Sequence, residues 1–468
     1  MPFIHLNQKW TIVALALLAG CVRYQPRPIL PAQTAANLEA RTLDDPALKE
    51  FLEESLQRRF EIWPPKSWDF ETLNLAALYY HPSLEVARSQ WQVALGGNKT
   101  AAARPNPILS AVPGYNFSAT GAVSPWIPAV TLEVPIETAG KRGHRRAQAQ
   151  HLSESARLNI VVTAVQVRSN LRSSLIDRTA ARQRESLLQN QKSIQDKILQ
   201  SLEQQLQAGA VSSSELTLVR INWDKIRLDL IDAQQQSADA LVRVADAIGV
   251  SVKALDGVDL GYDLSAQPPA VSDLMSVEAR RQALQGRADI LVALAEYAAS
   301  QSALQLEIAK QYPDVHLGPG YQFDQGDHKF SLALTAELPL LNQNQGPISQ
   351  AEARRGEAAA RFNALQAKII TEIDRAVAMY RVARENLSTL DSLAASQKRR
   401  TEAMEAQLKA GAADQFDLLN TQIELSANEM LQLNARVKLQ QSFGALEDAV
   451  QRPIDSMRSS LIEQGQHP

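Results

Sequence analysis

Few side chains in this sequence are arranged as a reacting centre would require. The seven histidines are scattered, and His144 and His151 stand two helical turns apart, about 10 Å along an axis, too far to hold one metal ion. Gly140-Lys141 lacks the earlier glycine of a phosphate-cradling G-x-x-x-x-G-K-[ST] loop. No serine or cysteine lies in a nucleophile motif. Neither an enzyme, a bound metal nor a nucleotide is expected. The remaining candidates are carboxylates in segments of alternating polarity: Glu133, Glu137, Asp314, Asp324 and Glu337. They stand without matching bases and read as water-facing groups, compatible with passing cations.

The elements that position these acids alternate with period two. From 108 to 119, Leu109, Ala111, Tyr115 and Phe117 alternate with small or polar residues, and from 126 to 137 the apolar set is Trp126, Val130, Leu132, Val134 and Ile136. In 314–324 and 329–340 the apolar sets are Val315, Leu317, Tyr321 and Phe323, then Phe330, Leu332, Leu334, Leu338 and Leu340. Such alternation predicts two amphipathic hairpins. Strands of this length suit a transmembrane barrel, which needs about 9–11 residues per crossing. Four strands cannot close one, and lipid-exposed sheet edges are forbidden, so several copies must share a barrel. A soluble sandwich buried on the apolar face is the alternative.

The chain is also a duplication. Pro113-Gly114-Tyr115-Asn116-Phe117 recurs 206 positions later as Pro319-Gly320-Tyr321-Gln322-Phe323, and Gln205-Leu206-Gln207-Ala208-Gly209-Ala210 recurs 202 positions later as Gln407-Leu408-Lys409-Ala410-Gly411-Ala412. Leu132-Glu133-Val134-Pro135 is echoed by Glu337-Leu338-Pro339. Helical segments are expected at 143–207, 213–248, 348–409 and 414–450, the longest approaching 100 Å at about 1.5 Å per residue. Shorter ones are expected from Leu73 to Ala103 and from Asp273 to Lys310. Heptad seams run through Leu216, Val219, Trp223, Ile226, Leu230 and Ala233, and through Phe416, Leu419, Ile423, Met430, Leu433 and Val437. Gly209 and Gly411 fold each long pair back as an antiparallel hairpin. The fold class is therefore mixed and mainly helical, with repeats at 70–250 and 273–450, a wrapping segment at 21–69, a linker at 251–272 and a tail at 451–468. A net charge of −3 excludes a basic nucleic-acid surface.

At the N-terminus, Lys9 precedes an apolar run, Thr11 to Leu18, too short to span a bilayer, and Leu18-Ala19-Gly20-Cys21 closes it. This resembles a bacterial lipobox, which implies removal of residues 1–20 and a covalent lipid, such as palmitate, on Cys21. By the same resemblance, Val22 favours sorting to the outer membrane. The lone cysteine cannot form a disulfide within the chain.

With Arg104-Pro105-Asn106-Pro107 before the first strand and Pro135-Ile136-Glu137-Thr138-Ala139-Gly140-Lys141-Arg142-Gly143 after the second, the duplicated chain resembles the TolC-type outer-membrane efflux factors. It is most similar to the CzcC-type heavy-metal branch. The resemblance implies a homotrimer with a twelve-stranded barrel and a periplasmic tunnel of twelve helices. It implies a periplasmic adaptor (membrane fusion) protein and an inner-membrane RND transporter as partners, and divalent metal cations as cargo. It assigns adaptor docking to the hairpin tips, with Leu206, Gly209, Val211, Leu408, Gly411 and Ala412, and an entrance gate to Asp417 and Asn420, with Glu215 as the counterpart in the first repeat. Asn420 departs from the second expected carboxylate, and Glu215 and Asp417 also read as acids favoured at helix N-termini. A duct for drugs or secreted polypeptides (type I secretion) remains open within transport, and a soluble periplasmic coiled-coil scaffold outside it.

Overall fold

The computed structural model describes residues 23–121, 123–268, 281 and 284–451. Cys21, the expected signal peptide and the tail from 452 lie outside the described residues. Helices α1 (Pro31–Glu39) and α2 (Pro46–Leu56) lead to the short strand β1 (Ser67–Trp68), then α3 (Phe70–Tyr80) and α4 (Pro82–Ala102). The first hairpin is β2 (Ile108–Tyr115) and β3 (Trp126–Ile136), followed by the long helices α5 (Lys141–Gln207) and α6 (Ser213–Ile248). After β4 (Asp259–Leu260), the second repeat runs through α7 (Ala288–Ala309), β5 (Val315–Asp324), β6 (Asp327–Ala336), α8 (Gln345–Lys409) and α9 (Gln415–Val450).

The helix expected from Leu73 to Ala103 is two helices. A residue before proline is pushed out of the helical region, and His81, ahead of Pro82, takes φ −66° and ψ 124°. Its ring accepts from the Ser83 N–H and so caps α4. The break lets α6 stack end-on against α4. Gly249 closes α6 at φ +87°, and a Cβ there would lie 2.9 Å from both His81 Cα and Tyr80 O. Arg41 Nη1 donates to Tyr80 O at 2.8 Å and Gly249 O at 3.0 Å, joining the two helix ends. The second repeat copies this joint: Arg287 donates to Ala449 O, and the Ala288 N–H to Gln451 Oε1 at 2.9 Å.

Packing pairs place α5 against α4, α6, α7 and α9, and α8 against α7 and α9. The result is a layer of four columns in the order α4 with α6, α5, α7 with α9, and α8. Two columns are single helices of 67 and 65 residues, about 100 Å long. The expected seam on α6 holds and extends: Leu216 and Ala233 are buried, and the same 3-4 spacing continues to buried Ser237, Ala240 and Val244.

The sheet order is β2-β3-β5-β6, antiparallel throughout. Each strand prolongs one helical column. Both layers are open at their outer edges, β2 and β6 in the sheet and the α4/α6 column and α8 in the helices. The segment expected to wrap the outside helps to build a belt at mid-height. Leu43, Leu48, Leu52 and Trp68 are buried with Leu73, Leu84, Leu171, Leu175 and Ile248, and β1 pairs with β4 in the linker. The described residues up to about Arg41 stay largely outside, as do most of 57–67, and α1 has no buried residue.

A buried ionic clasp ties the repeats at this belt. Arg172 on α5 donates to Gly444 O at 2.8 Å and lies 3.0 Å from Glu447 on α9. Gly444 gives the guanidinium room, because a Cβ there would stand 2.8 Å from Arg172 Nη1 and displace the side chain. Phe70 packs its ring against both Arg168 and Arg172.

Candidate functional site

Residues paired across the ladder share a face, so the register sorts the sheet into two surfaces. One carries Leu109, Ala111 and Tyr115 on β2, Trp126, Val130, Leu132, Val134 and Ile136 on β3, Leu317 and Tyr321 on β5, and Phe330, Leu332 and Leu334 on β6. The other carries an aligned row of small groups, Ser110, Thr131, Gly320 and Ser331, with Glu133, His316, Gln322 and Lys329 near it. Along β3 the apolar residues from Trp126 to Leu132 are the exposed ones, and Ile127, Ala129, Thr131 and Glu133 between them are more sheltered. Phe330 is 82% exposed. A water-soluble sandwich would bury this face, so the outward apolar surface sets that alternative aside.

The strands are shorter than expected, and three of the five candidate lumen acids fall off them. The ladders end at Tyr115, Ile136 and Ala336, and β5 begins at Val315, leaving Glu137, Asp314 and Glu337 at the junctions with the helices. The expectation of acids without matching bases is overturned for Glu137, Asp314 and Asp324, while Glu133 faces an imidazole that is charged only when protonated. Glu133 Oε1 lies 2.6 Å from His316 Nδ1, and Asp324 Oδ2 2.6 Å from Lys329 Nζ. Glu137 receives both Arg145 terminal nitrogens, at 2.6 and 3.2 Å. Asp314 Oδ1 accepts from Lys141 Nζ at 2.7 Å and from the Thr138 N–H at 2.9 Å. Burial opposes ionisation of Asp314, but these two hydrogen bonds and the Lys141 charge outweigh it and hold the carboxyl below its ordinary range. Glu337 is exposed. The Glu133–His316 and Asp314–Lys141 contacts join residues distant in sequence, so no local spacing announced them, whereas Arg145 and Lys329 stand eight and five residues from their acids.

The segment Glu137–Arg145 turns β3 into α5. Ala139 and Gly140 take positive φ, 51° and 71°, and Arg142 Nε and Arg145 Nε donate to the α4 carbonyls of Ala102 and Ala101 at 2.8 and 3.0 Å. Those are carbonyls a helix end leaves without partners, and cations suit them. Sequence reasoning missed these arginines as junction residues, although the basic run after Gly140 was the available signal.

The two tips are built alike. The Ala210 N–H bonds to Gln205 O at 2.8 Å and the Gly209 N–H to Leu206 O at 3.0 Å; the Ala412 and Gly411 N–H groups do the same with Gln407 O and Leu408 O. Both are Schellman closures, with Gly209 and Gly411 at φ +73° and +75°. Leu206 and Val211 at the tips are half-buried. They pack on a cluster with Leu202, Leu216, Phe416 and Leu419 that joins the two hairpins. Glu215 completes a capping box with Ser212. Asp417 has its N–H capped by Asp414 at 2.7 Å, and its exposed side chain shares a surface with exposed Asn420 one turn on. Among the described residues no helix is long and apolar enough to cross a membrane, and no three ligating side chains cluster to hold a metal ion.

The model of the family described as outer membrane efflux protein matches residues 75–250 and 279–450, most of both repeats. The chain belongs to that family. Its members are channels, and the chain is an outer-membrane efflux channel protein, not an enzyme or a coiled-coil scaffold. The cobalt-zinc-cadmium resistance protein CzcC of Cupriavidus metallidurans is 21% identical over 343 residues, 73% of this chain and 79% of that protein. Among solved structures, the channel protein CusC is 18% identical and superimposes with a TM-score of 0.65, over 84% of this chain and 94% of its own. The outer membrane protein VceC of Vibrio cholerae, also 18% identical, has a TM-score of 0.67 over 82% and 96%. At such identities these structures share the fold.

Proposed function

We propose that three copies of this chain close into a continuous duct, each contributing four strands to a membrane barrel and four helical columns to a periplasmic tunnel. One observation carries the reading: the sheet turns its apolar face outward and leaves β2 and β6 unpaired, directly above a helix layer open at the same two columns. A lipid-facing sheet cannot keep free edges. The helical edge is equally prepared, because α6 exposes a second stripe, Leu218, Ile221, Leu228 and Ile231, apart from its buried seam.

The duct is passive. It docks through its tips to a periplasmic adaptor and receives cargo from an inner-membrane RND transporter that supplies the energy. The cargo is a divalent metal cation, a reading supported by the similarity to CzcC. Because most candidate lumen acids are paired with bases, the sheet gives cations little advantage, and selection lies upstream and at an Asp417 ring. Lipidation at Cys21 adds an anchor to the outer membrane. Deleting the gene should sensitise cells to cobalt, zinc, cadmium, nickel or copper. Unchanged metal tolerance with heightened sensitivity to organic drugs would replace the metal reading by drug efflux.

A further inference from the structure

The β6 ladder ends at Ala336, opposite Val315, but the apolar pattern does not. Leu338, Leu340 and Leu341 are 71, 79 and 103% exposed, and the polar Asn342-Gln343-Asn344 follows. In the duplicated chain Pro339 corresponds to Pro135, which makes Val134 and Ile136 the counterparts of Leu338 and Leu340. Those two sit within the β3 ladder, on the apolar face, opposite Leu317 and Val315. The first junction then turns polar at Glu137 and Thr138, which Arg145 and Asp314 pin down. The second turns polar only at Asn342.

Length points the same way. The outward apolar residues of β6, Phe330 to Leu334, cover about 14 Å of chain, and Lys329 above Phe330 is bound to Asp324. An outer-membrane barrel presents an apolar band about 25 Å tall on strands tilted by about 40°. Phe330 to Leu338, before the turn in which the Leu340 N–H donates to Leu338 O at 2.8 Å, covers about 27 Å of chain, or about 20 Å at that tilt, against about 10 Å if the face stopped at Leu334.

We infer that Leu338, Leu340 and Leu341 form the periplasmic rim of the lipid-facing surface, each copy's last contact with phospholipid acyl chains before α8 enters water. This rests on the membrane-barrel reading proposed above, and the test separates the two. Single cysteines replacing Leu332, Leu338, Leu340 and Gln343 in the full chain are spin-labelled in phosphatidylethanolamine and phosphatidylglycerol vesicles, with the parent chain giving the Cys21 background. Collision with oxygen, which partitions into lipid, should exceed collision with a water-soluble nickel chelate at 332, 338 and 340, and the order should reverse at 343. Lipid exposure at 332 with nickel access at 338 and 340 overturns the rim and leaves the barrel standing. So does shielding of 338 and 340 from both reagents, which assigns them to a neighbouring copy. Nickel access at 332 overturns the barrel and the rim together.

Discussion

Lys141 Nζ lies 2.7 Å from Asp314 Oδ1 although 173 residues separate them. The lysine, 8% exposed, also donates to Tyr312 O at 2.6 Å, so the start of α5 in one repeat is fastened to the start of β5 in the other. The bond lies at the junction between sheet and helices, where relative motion of the repeats would shear the wall.

Asp314→Asn should lower stability at neutral pH by about 1–2 kcal/mol, a figure reduced for the solvent that reaches the carboxylate. The folded pKa of Asp314 is depressed. Its contribution is therefore present above the unfolded value of about 4 and is lost as pH falls through the folded value. Thermal unfolding in detergent across pH 3–7 should show the parent and the variant converging in acid.

Gly249→Ala and Gly209→Ala separate backbone strain from crowding. Both glycines have positive φ, but a Cβ at Gly209 meets open space, whereas at Gly249 it meets His81 and Tyr80 at 2.9 Å. The Gly209 change should cost about 1 kcal/mol. The Gly249 change should cost at least about 3 kcal/mol, read as a larger fall in unfolding temperature, because the overlap adds to the strain.

The two acids near the tips should part company in function. Asp417→Asn should reduce cation preference in planar bilayers with little change in stability. Glu215→Ala should leave ion preference unchanged and cost about 0.5–1 kcal/mol through loss of the capping box. Equal effects on selectivity would remove the distinction.

Leu228→Asp with Ile221→Asp, on the exposed stripe of α6, should prevent copies from associating while the helical circular dichroism of each chain is retained. Light scattering in detergent, giving the mass of the protein component, reads the result directly. An unchanged oligomer would place these residues outside the contact between copies.

The joint between α3 and α4 shows how far local sequence reasoning reached. The helical period persists across His81-Pro82, and only the proline's effect on its predecessor marks the break. The tips were more legible: Gly209 and Gly411 occupy the turns assigned to them, since no other residue enters the left-handed region so cheaply. Leu206 and Val211 were less so, because their exposure depends on Phe416 and Leu419 from the other repeat.

The sequence by itself determined the duplication, the strand faces, the long helices and their turns. Each is written in periodicities of 2 and 3.5 or in residues with unusual backbone freedom, which act over a few neighbours. Tertiary structure alone decided the column order, the belt clasped by Arg172, and the contacts of Glu133 with His316 and of Asp314 with Lys141. Among these, the Glu133–His316, Asp314–Lys141 and Arg172–Glu447 contacts join groups far apart along the chain. Electrostatic attraction falls with distance in space and is indifferent to distance in sequence, so an acid that looks unopposed along the chain is neutralised by a base the fold brings to it.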